Sequence, residues 1–425
     1  MAPAIPRTSN LEYAVVQRSP IAALLDKFAF GLLWGFVLDI PMEGNTMVAG
    51  FVITRWLGML ALGVALFRCA MTRTMRKPCL LHAWMAAFVV WVALSLAWTI
   101  DTEMTISRLG SYVQLLIMVW LIWELATTEK RWASLLFAFC IGAGLSSINA
   151  IKMLHTGMTD GSEEAQKLAE YGRFAPTGFD QNEFALVLAL SVPMAIYLLT
   201  REKSFWKSAV CWVELGLAGF GILLSGSRAG LLCLVVTSVM VPLAMPRFSP
   251  GKRRLLWVVL PCVAVCAASY VPAGTWERLM TTGSELSAGT LDHRTVIWAA
   301  GVSVFRQHPL IGIGSGAFAT AVGGIIDIFY VAHNSFLSIL VELGVIGEMI
   351  LLGLMASMFY LASRMRGLDR WLWVILLLTW SVGVSSLTWE YRKATWFLFA
   401  MVAAEAGFAT TVRPKTVQGQ VRRFL

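Results

Sequence analysis

Charge is scarce in this sequence. Asp, Glu, Lys and Arg make up 14% of its 425 residues, where a soluble domain carries about 25%. That shortage excludes an ordinary soluble enzyme. Cysteine patterning is missing too. Cys69, Cys79, Cys140, Cys211, Cys233, Cys262 and Cys266 all lie in or beside apolar segments, with no CxxC and no Cys/His spacing. This excludes a disulfide framework and a zinc site; buried cysteine behaves as a small hydrophobe. HExxH, the P-loop lysine and GxGxxG are absent, and so is an Asp-x-Asp pair on any outward segment. The opening MAPAIPRTSN has no charged n-region, apolar h-region or small-residue cleavage site, so no cleaved signal peptide is expected. No repeat relates the two halves, which disfavours the common secondary-transporter folds.

What is present is apolar length. The chain is 58% hydrophobic with a mean hydropathy of +0.70, and its apolar runs reach the roughly 20 residues that cross a bilayer as a helix. The fold class expected is an all-α polytopic integral membrane protein, one membrane domain over residues 1–425. Spans are expected near 22–40, 47–67, 81–100, 109–127, 132–151, 183–200, 206–223, 229–246, 255–271, 335–362, 371–388 and 394–411, about twelve in all. With the N-terminus inside, about two-thirds of the 34 basic residues fall in short inner segments. The positive-inside rule then places both termini in the cytoplasm. The same rule accounts for the net charge of +9 without nucleic acid as a partner.

Two outer segments are long, 152–182 and 272–334, the second lying between spans nine and ten. Short amphipathic helices are expected in it, since Ile297, Ala300, Val304 and Phe305 recur at helical spacing and Asp292 is placed to cap that helix. The distinctive polar clusters all fall on this outer side: Gly178–Glu183, Ser225–Arg228, Asp292–Thr295, His308–Gly316, Ala332–Ser335 and Trp389–Lys393. Four of the five histidines are there, His82 being the exception.

Arg228 carries the sharpest signal. An arginine at membrane depth costs about 2.5–3.5 kcal/mol on insertion scales, so it implies a role. Snorkelling to the interface is the plainer reading. The serines and glycines around it favour anion binding, because they leave amides and hydroxyls free beside a guanidinium that grips phosphate oxygens in pairs. His333 opens span ten, where an imidazole can act as a base near neutral pH or sit as a satisfied interfacial group. Arg294 alone reads as a solvated loop residue, and His293 and His308 as surface or packing histidines. Glu342 lies about 13 Å into span ten and needs a partner, for which Arg55 in span two is a candidate. Glu214 and Glu405 are buried acids without an assigned role. Gly312–Gly316 reads as a flexible turn setting the loop against the membrane.

These motifs resemble the O-antigen ligase and polymerase family of membrane glycosyltransferases. SGSRAG follows span seven, HRTVIWAAGVSVFRQHPLIGIGSGAF resembles the family's arginine-bearing loop, and AHNSFLSILVELGVIG resembles its His-Asn segment. Phe179-Asp180-Gln181-Asn182 looks like the place where members often show Asn-Pro-Asn, without the proline. The resemblance covers residues 173–348. It implies a saccharide donor on undecaprenyl pyrophosphate at the outer face of a bacterial plasma (inner) membrane, the active site facing the periplasm or exterior. It implies a pyrophosphate held by Arg228 and Arg294, with His333 as the catalytic residue. Arg173, Asp180, Asn182, Ser227 and Asn334 are added as candidate substrate contacts. Inverting transfer without cofactor or metal is expected, with membrane lipids and polysaccharide-assembly proteins as partners.

The acceptor separates two outcomes. A ligase passes the chain to lipid A–core or another saccharide acceptor, and shared SGSRAG and HNSFL lean that way. A polymerase passes it to another lipid-linked repeat of O-antigen or exopolysaccharide. From other classes, a twelve-span transporter or flippase draws on Arg55, Glu214 and Glu342, although transport calls for polar groups on both faces. A non-catalytic export scaffold has no feature of its own.

Overall fold

A backbone in hydrocarbon has to satisfy its own hydrogen bonds, so long apolar runs in a membrane fold as helices. The computed structural model describes residues 20–42, 47–48, 51–156, 172–176, 178–280, 294–327 and 329–411, and it is helical nearly throughout. In chain order the helices are α1 (Pro20–Asp39), α2 (Ile53–Thr72), α3 (Leu80–Leu94), α4 (Thr102–Leu125), α5 (Glu129–Thr156), α6 (Gln181–Arg201), α7 (Phe205–Leu224) and α8 (Arg228–Ser238, continued by Met240–Ala244). They continue as α9 (Pro250–Tyr270), α10 (Ala273–Met280), α11 (Arg294–Gln307), α12 (Phe318–Ile326), α13 (Ser335–Arg364), α14 (Leu368–Val384) and α15 (Lys393–Thr411). A two-residue ladder pairs Met47–Val48 with Phe51–Val52 before α2.

A helix underlies each expected span. Among the described residues, nine helical stretches are long and apolar enough to cross a membrane; α9, α14 and α15 underlie the other three. Large apolar side chains such as Trp56, Phe67, Trp257 and Val265 are exposed on the outside of the bundle, as a lipid-facing surface requires. The core lies around α6, whose apolar window is 94% buried. It packs on α5, α7, α8 and α14.

Polar side chains gather at the two ends of the bundle. At one end Arg131 meets Asp26 at 2.6 Å, Arg68 meets Asp26 at 3.6 Å and also Glu124, and Arg201 bridges Asp369 at 2.6 Å and Glu129. This explains how α1 tolerates Asp26 in an apolar run. At the other end Arg392 meets Glu183 at 2.6 Å and Arg108 meets Glu390 at 3.7 Å. Of the deeper acids, Glu214 accepts from Ser191 Oγ and Glu405 accepts from Trp373 Nε1 at 2.5 Å.

The 272–334 segment holds α10, α11 and α12. In α11 Ile297, Ala300 and Val304 are buried and Phe305 packs beside them, as the helical spacing predicts. Asp292 and His293 lie outside the described residues.

Candidate active site

The α7–α8 connection is three residues, Ser225-Gly226-Ser227. Gly226 turns the chain with a φ of 59°, and Ser227 Oγ accepts from the Gly230 amide at 3.1 Å to cap α8. Arg228 is therefore the first residue of α8. A cation there opposes the helix dipole, and a helix start beside a guanidinium is a setting suited to an anion. Its guanidinium donates through Nε and Nη2 to the Arg278 carbonyl at 3.3 and 3.1 Å.

Ser227 also donates to Asn182 Oδ1 at 2.8 Å. Arg173 joins the same two elements, with Nη2 to Asn182 Oδ1 and Nε to the Ser225 carbonyl, both at 3.3 Å. Arg173, Asn182, Ser227 and Arg228 thus sit together, although 55 residues of chain separate the first from the last. Asp180 does local work: its carboxylate caps α6 by accepting from the amides of Asn182 at 2.8 Å and Glu183 at 3.2 Å. Asn334 does the same for α13, accepting from Leu337 N at 3.1 Å.

His333 is half-buried just before α13. Its φ is 46°, in the left-handed region that costs an L-residue about 1–2 kcal/mol. Burial holds its imidazole pKa below the usual value, Arg294 pushes it lower, and Asp180 pulls it back up. Those couplings mean that His333 feels both Arg294 and the Asp180 turn. Arg294 opens α11 and donates to the Ser386 carbonyl at 3.2 Å. On the same strip Ser335 Oγ donates to the Leu387 carbonyl and accepts from Trp389 N, at 2.9 and 2.8 Å, while Trp298 Nε1 donates to the Ala332 carbonyl at 2.8 Å. The backbone on both sides of His333 is thereby fixed.

The Gly312–Gly316 segment is not the flexible turn expected. It pairs with a break inside α13, where Gly344 has φ 69° and ψ −172°. Gly314 N donates to the Glu342 carbonyl at 2.8 Å, and Val345 N donates to the Pro309 carbonyl at 2.9 Å. On its other edge Ile100 N donates to the Ile313 carbonyl at 3.0 Å. Glu342 closes this clasp: its carboxylate accepts from Gly316 N at 2.7 Å and Phe318 N at 3.3 Å. Arg55 is not its partner, being exposed on α2. Amides of the clasp hold this acid, a pairing that apolar sequence between the two segments conceals.

Arg108, one residue before the span expected near 109–127, lies inside α4 with a side chain only 11% exposed. Its guanidinium covers the Tyr391 ring at 3.4 Å and neighbours Glu390, whose carboxyl burial raises above the ordinary range against the pull of Arg108. Beside this group a cavity of about 670 Å³ opens between α1, α2, α4 and the α14–α15 connection. Phe179 and Glu183 line it, so the 178–183 turn is also one wall of the cavity.

Residues 214–352, which include the Arg228 turn, Arg294, His333 and the clasp, match the family model described as O-Antigen ligase. The chain is also 22% identical over 295 residues to the exopolysaccharide production protein ExoQ of Rhizobium meliloti (strain 1021). That match covers 66% of this chain and 65% of the relative, so the chain spans somewhat less than two-thirds of that protein. The chain is thus similar, over residues 214–352 and along much of its length, to proteins of O-antigen ligase and exopolysaccharide production type.

Proposed function

We propose that the protein is a glycosyltransferase that moves a saccharide from an undecaprenyl-pyrophosphate carrier to an acceptor hydroxyl. The site would face the periplasm or exterior from the bacterial plasma membrane. The observation that carries this reading is a convergence on one turn. Asn182 ties it to Ser227 and the Arg228 helix start, while the neighbouring Asp180 acts on His333, which also feels Arg294. Arg294 therefore acts on an imidazole biased toward its neutral form, and Arg228 is tied to the same turn through Ser227 and Asn182.

The chemistry balances on these groups. The acceptor oxygen attacks the anomeric carbon and forms the new glycosidic C–O bond as the C–O bond to phosphate breaks. The leaving pyrophosphate takes the electron pair, and Arg228 and Arg294 stabilise its developing charge. The hydroxyl proton passes to the His333 imidazole and from there to solvent. Direct displacement inverts the anomeric carbon, and the guanidiniums supply the positive charge with no metal or cofactor invoked. Asp180 and Asn334, as helix caps, hold the turn and His333 in place; Arg173, Asn182 and Ser227 are offered as donor contacts. The ligase motifs lean toward an acceptor such as lipid A–core, while the relative's name favours exopolysaccharide assembly.

The test is reconstitution with a lipid-pyrophosphate-linked saccharide and an acceptor. Arg228→Ala, Arg294→Ala and His333→Gly are each expected to lose about 10²–10⁴-fold in turnover while still inserting in the membrane. Glycine is the right replacement at position 333 because it accepts the positive φ. Excess chelator is expected to leave the rate unchanged. A His333→Gly enzyme working at the wild-type rate would remove the proposed base.

A further inference from the structure

A second cavity, of about 710 Å³, lies at the opposite end of the bundle from His333, framed by α3, α4, α13 and α15. Its wall is mainly apolar, with Leu81 from α3, Leu361 from α13, and Ala403 and Ala406 from α15. Leu80 and Tyr360 also line it and are 68% and 62% exposed on the outside of the bundle. The slot therefore opens sideways, onto the surface that meets lipid. Its charged lining is of one sign: Arg76 and Lys77, from the α2–α3 connection, with no acid among the lining residues.

Arg76 is built into the wall rather than left to swing in solvent. Its guanidinium lies 3.9 Å from the centre of the Trp123 ring, and Nη1 donates to the Trp123 carbonyl. Nη2 sits 2.9 Å from the place a Cβ on Gly407 would take, so the bare glycine makes room for it. The neighbouring carboxylates are shared among several cations. Glu124 accepts from Arg68 and from the Arg76 amide, the latter at 2.8 Å, and Asp26 meets both Arg68 and Arg131. Two carboxylates thus serve four cations (Arg68, Arg76, Lys77 and Arg131), which leaves two positive charges on the cavity side. Burial also lowers the Arg76 pKa against the pull of Glu124, so an anion entering the slot stabilises a charge that burial disfavours.

We propose that this slot holds one anionic glycerophospholipid of the adjoining leaflet. Its phosphate sits on Arg76 and Lys77, and the first part of an acyl chain runs along α3, α13 and α15. Paired donors from a fixed guanidinium suit phosphate oxygens, and an apolar wall open to the membrane suits a lipid better than a soluble anion. The volume lies in the range of pockets that enclose a single ligand, about 300–1,000 Å³. A lipid seated there fills the space between α3, α13 and α15, so binding stabilises the bundle by mass action. The proposal requires only that the helices lie in a bilayer and does not depend on the glycosyl-transfer reading.

The test titrates the full chain, delipidated in neutral detergent, with dioleoyl phosphatidylglycerol. Native mass spectrometry counts the bound lipid, and the melting temperature is followed alongside. One molecule is expected to stay bound and to raise the Tm. Dioleoyl phosphatidylcholine, with the same chains and no net charge, is expected to bind at least fivefold more weakly. Lys77→Gln should weaken phosphatidylglycerol about fivefold. Lys203→Gln is the control, because Lys203 is equally exposed, lies in the α6–α7 connection at the same end, and does not line the slot; it should change nothing. Ala356 lines the slot from an exposed position on α13, so Ala356→Trp should fill it and abolish the retained lipid, with the lipid-free Tm showing that the fold is kept. Equal weakening by Lys77→Gln and Lys203→Gln would mean diffuse attraction to a basic surface and overturns the site. Undiminished binding in Ala356→Trp, or phosphatidylcholine matching phosphatidylglycerol, overturns it as well. Displacement by inorganic phosphate at the same concentration as the lipid would make it a soluble-anion site and defeat the lipid assignment.

Discussion

His333 occupies a backbone conformation that glycine would adopt freely, so the imidazole itself must justify the strain. Its surroundings set its protonation. Burial and Arg294 hold the pKa below the usual imidazole value of 6.5, and Asp180 opposes them. A base has to be neutral to accept a proton, so the acid limb of kcat/KM is expected below pH 6.5, with activity lost as pH falls through the lowered pKa. Asp180→Asn refines the test. Asparagine keeps the α6 cap but removes the one charge that raises the His333 pKa, so the limb should move further to the acid side. A pH–rate profile of the two enzymes measures this; a limb that moves upward contradicts the coupling. The histidine, as a residue type at a membrane boundary, was legible in the sequence. Its positive φ and its two opposing neighbours were not, because both come from segments more than 35 residues away in the chain.

At the scale of elements, the least legible feature is the broken α13. Val341-Glu342-Leu343-Gly344 reads as part of one apolar helix, and Gly312–Gly316 reads as a loop. Each conceals unpaired backbone that only the other can satisfy, so neither segment shows the arrangement alone. The amphipathic α11, by contrast, was readable because its periodicity is local. The clasp predicts a sharp glycine requirement. A Cβ on Gly314 would overlap Thr99, and its φ is 104°, so Gly314→Ala is expected to destabilise the protein by about 2 kcal/mol or more. Gly324 in α12 has open space around its Cβ position, and Gly324→Ala should be neutral or stabilising by up to about 1 kcal/mol. Thermal unfolding in detergent compares them. Equal melting temperatures would show that the clasp does not constrain the fold.

For the whole molecule, the two polar ends of the bundle must face the two sides of a membrane, and loop charge says which side is which. Asp26, Arg68, Glu124, Arg131 and Arg201 form the end that the positive-inside rule puts in the cytoplasm. Arg108, Asp180, His333, Glu390 and Arg392 form the other, and the proposed donor's pyrophosphate would be reachable only if that end faces out. Single cysteines test the assignment in a chain whose seven native cysteines have been replaced. Glu103, in the first turn of α4, and Lys130, at the start of α5, are both exposed and lie at opposite ends of the bundle. A membrane-impermeant maleimide is expected to label Glu103→Cys in intact spheroplasts and Lys130→Cys only after permeabilisation. The reverse pattern would turn the Arg228–His333 side toward the cytoplasm. The donor would then have to be used before it crosses the membrane, and the proposed outer-face reaction would fall with the orientation.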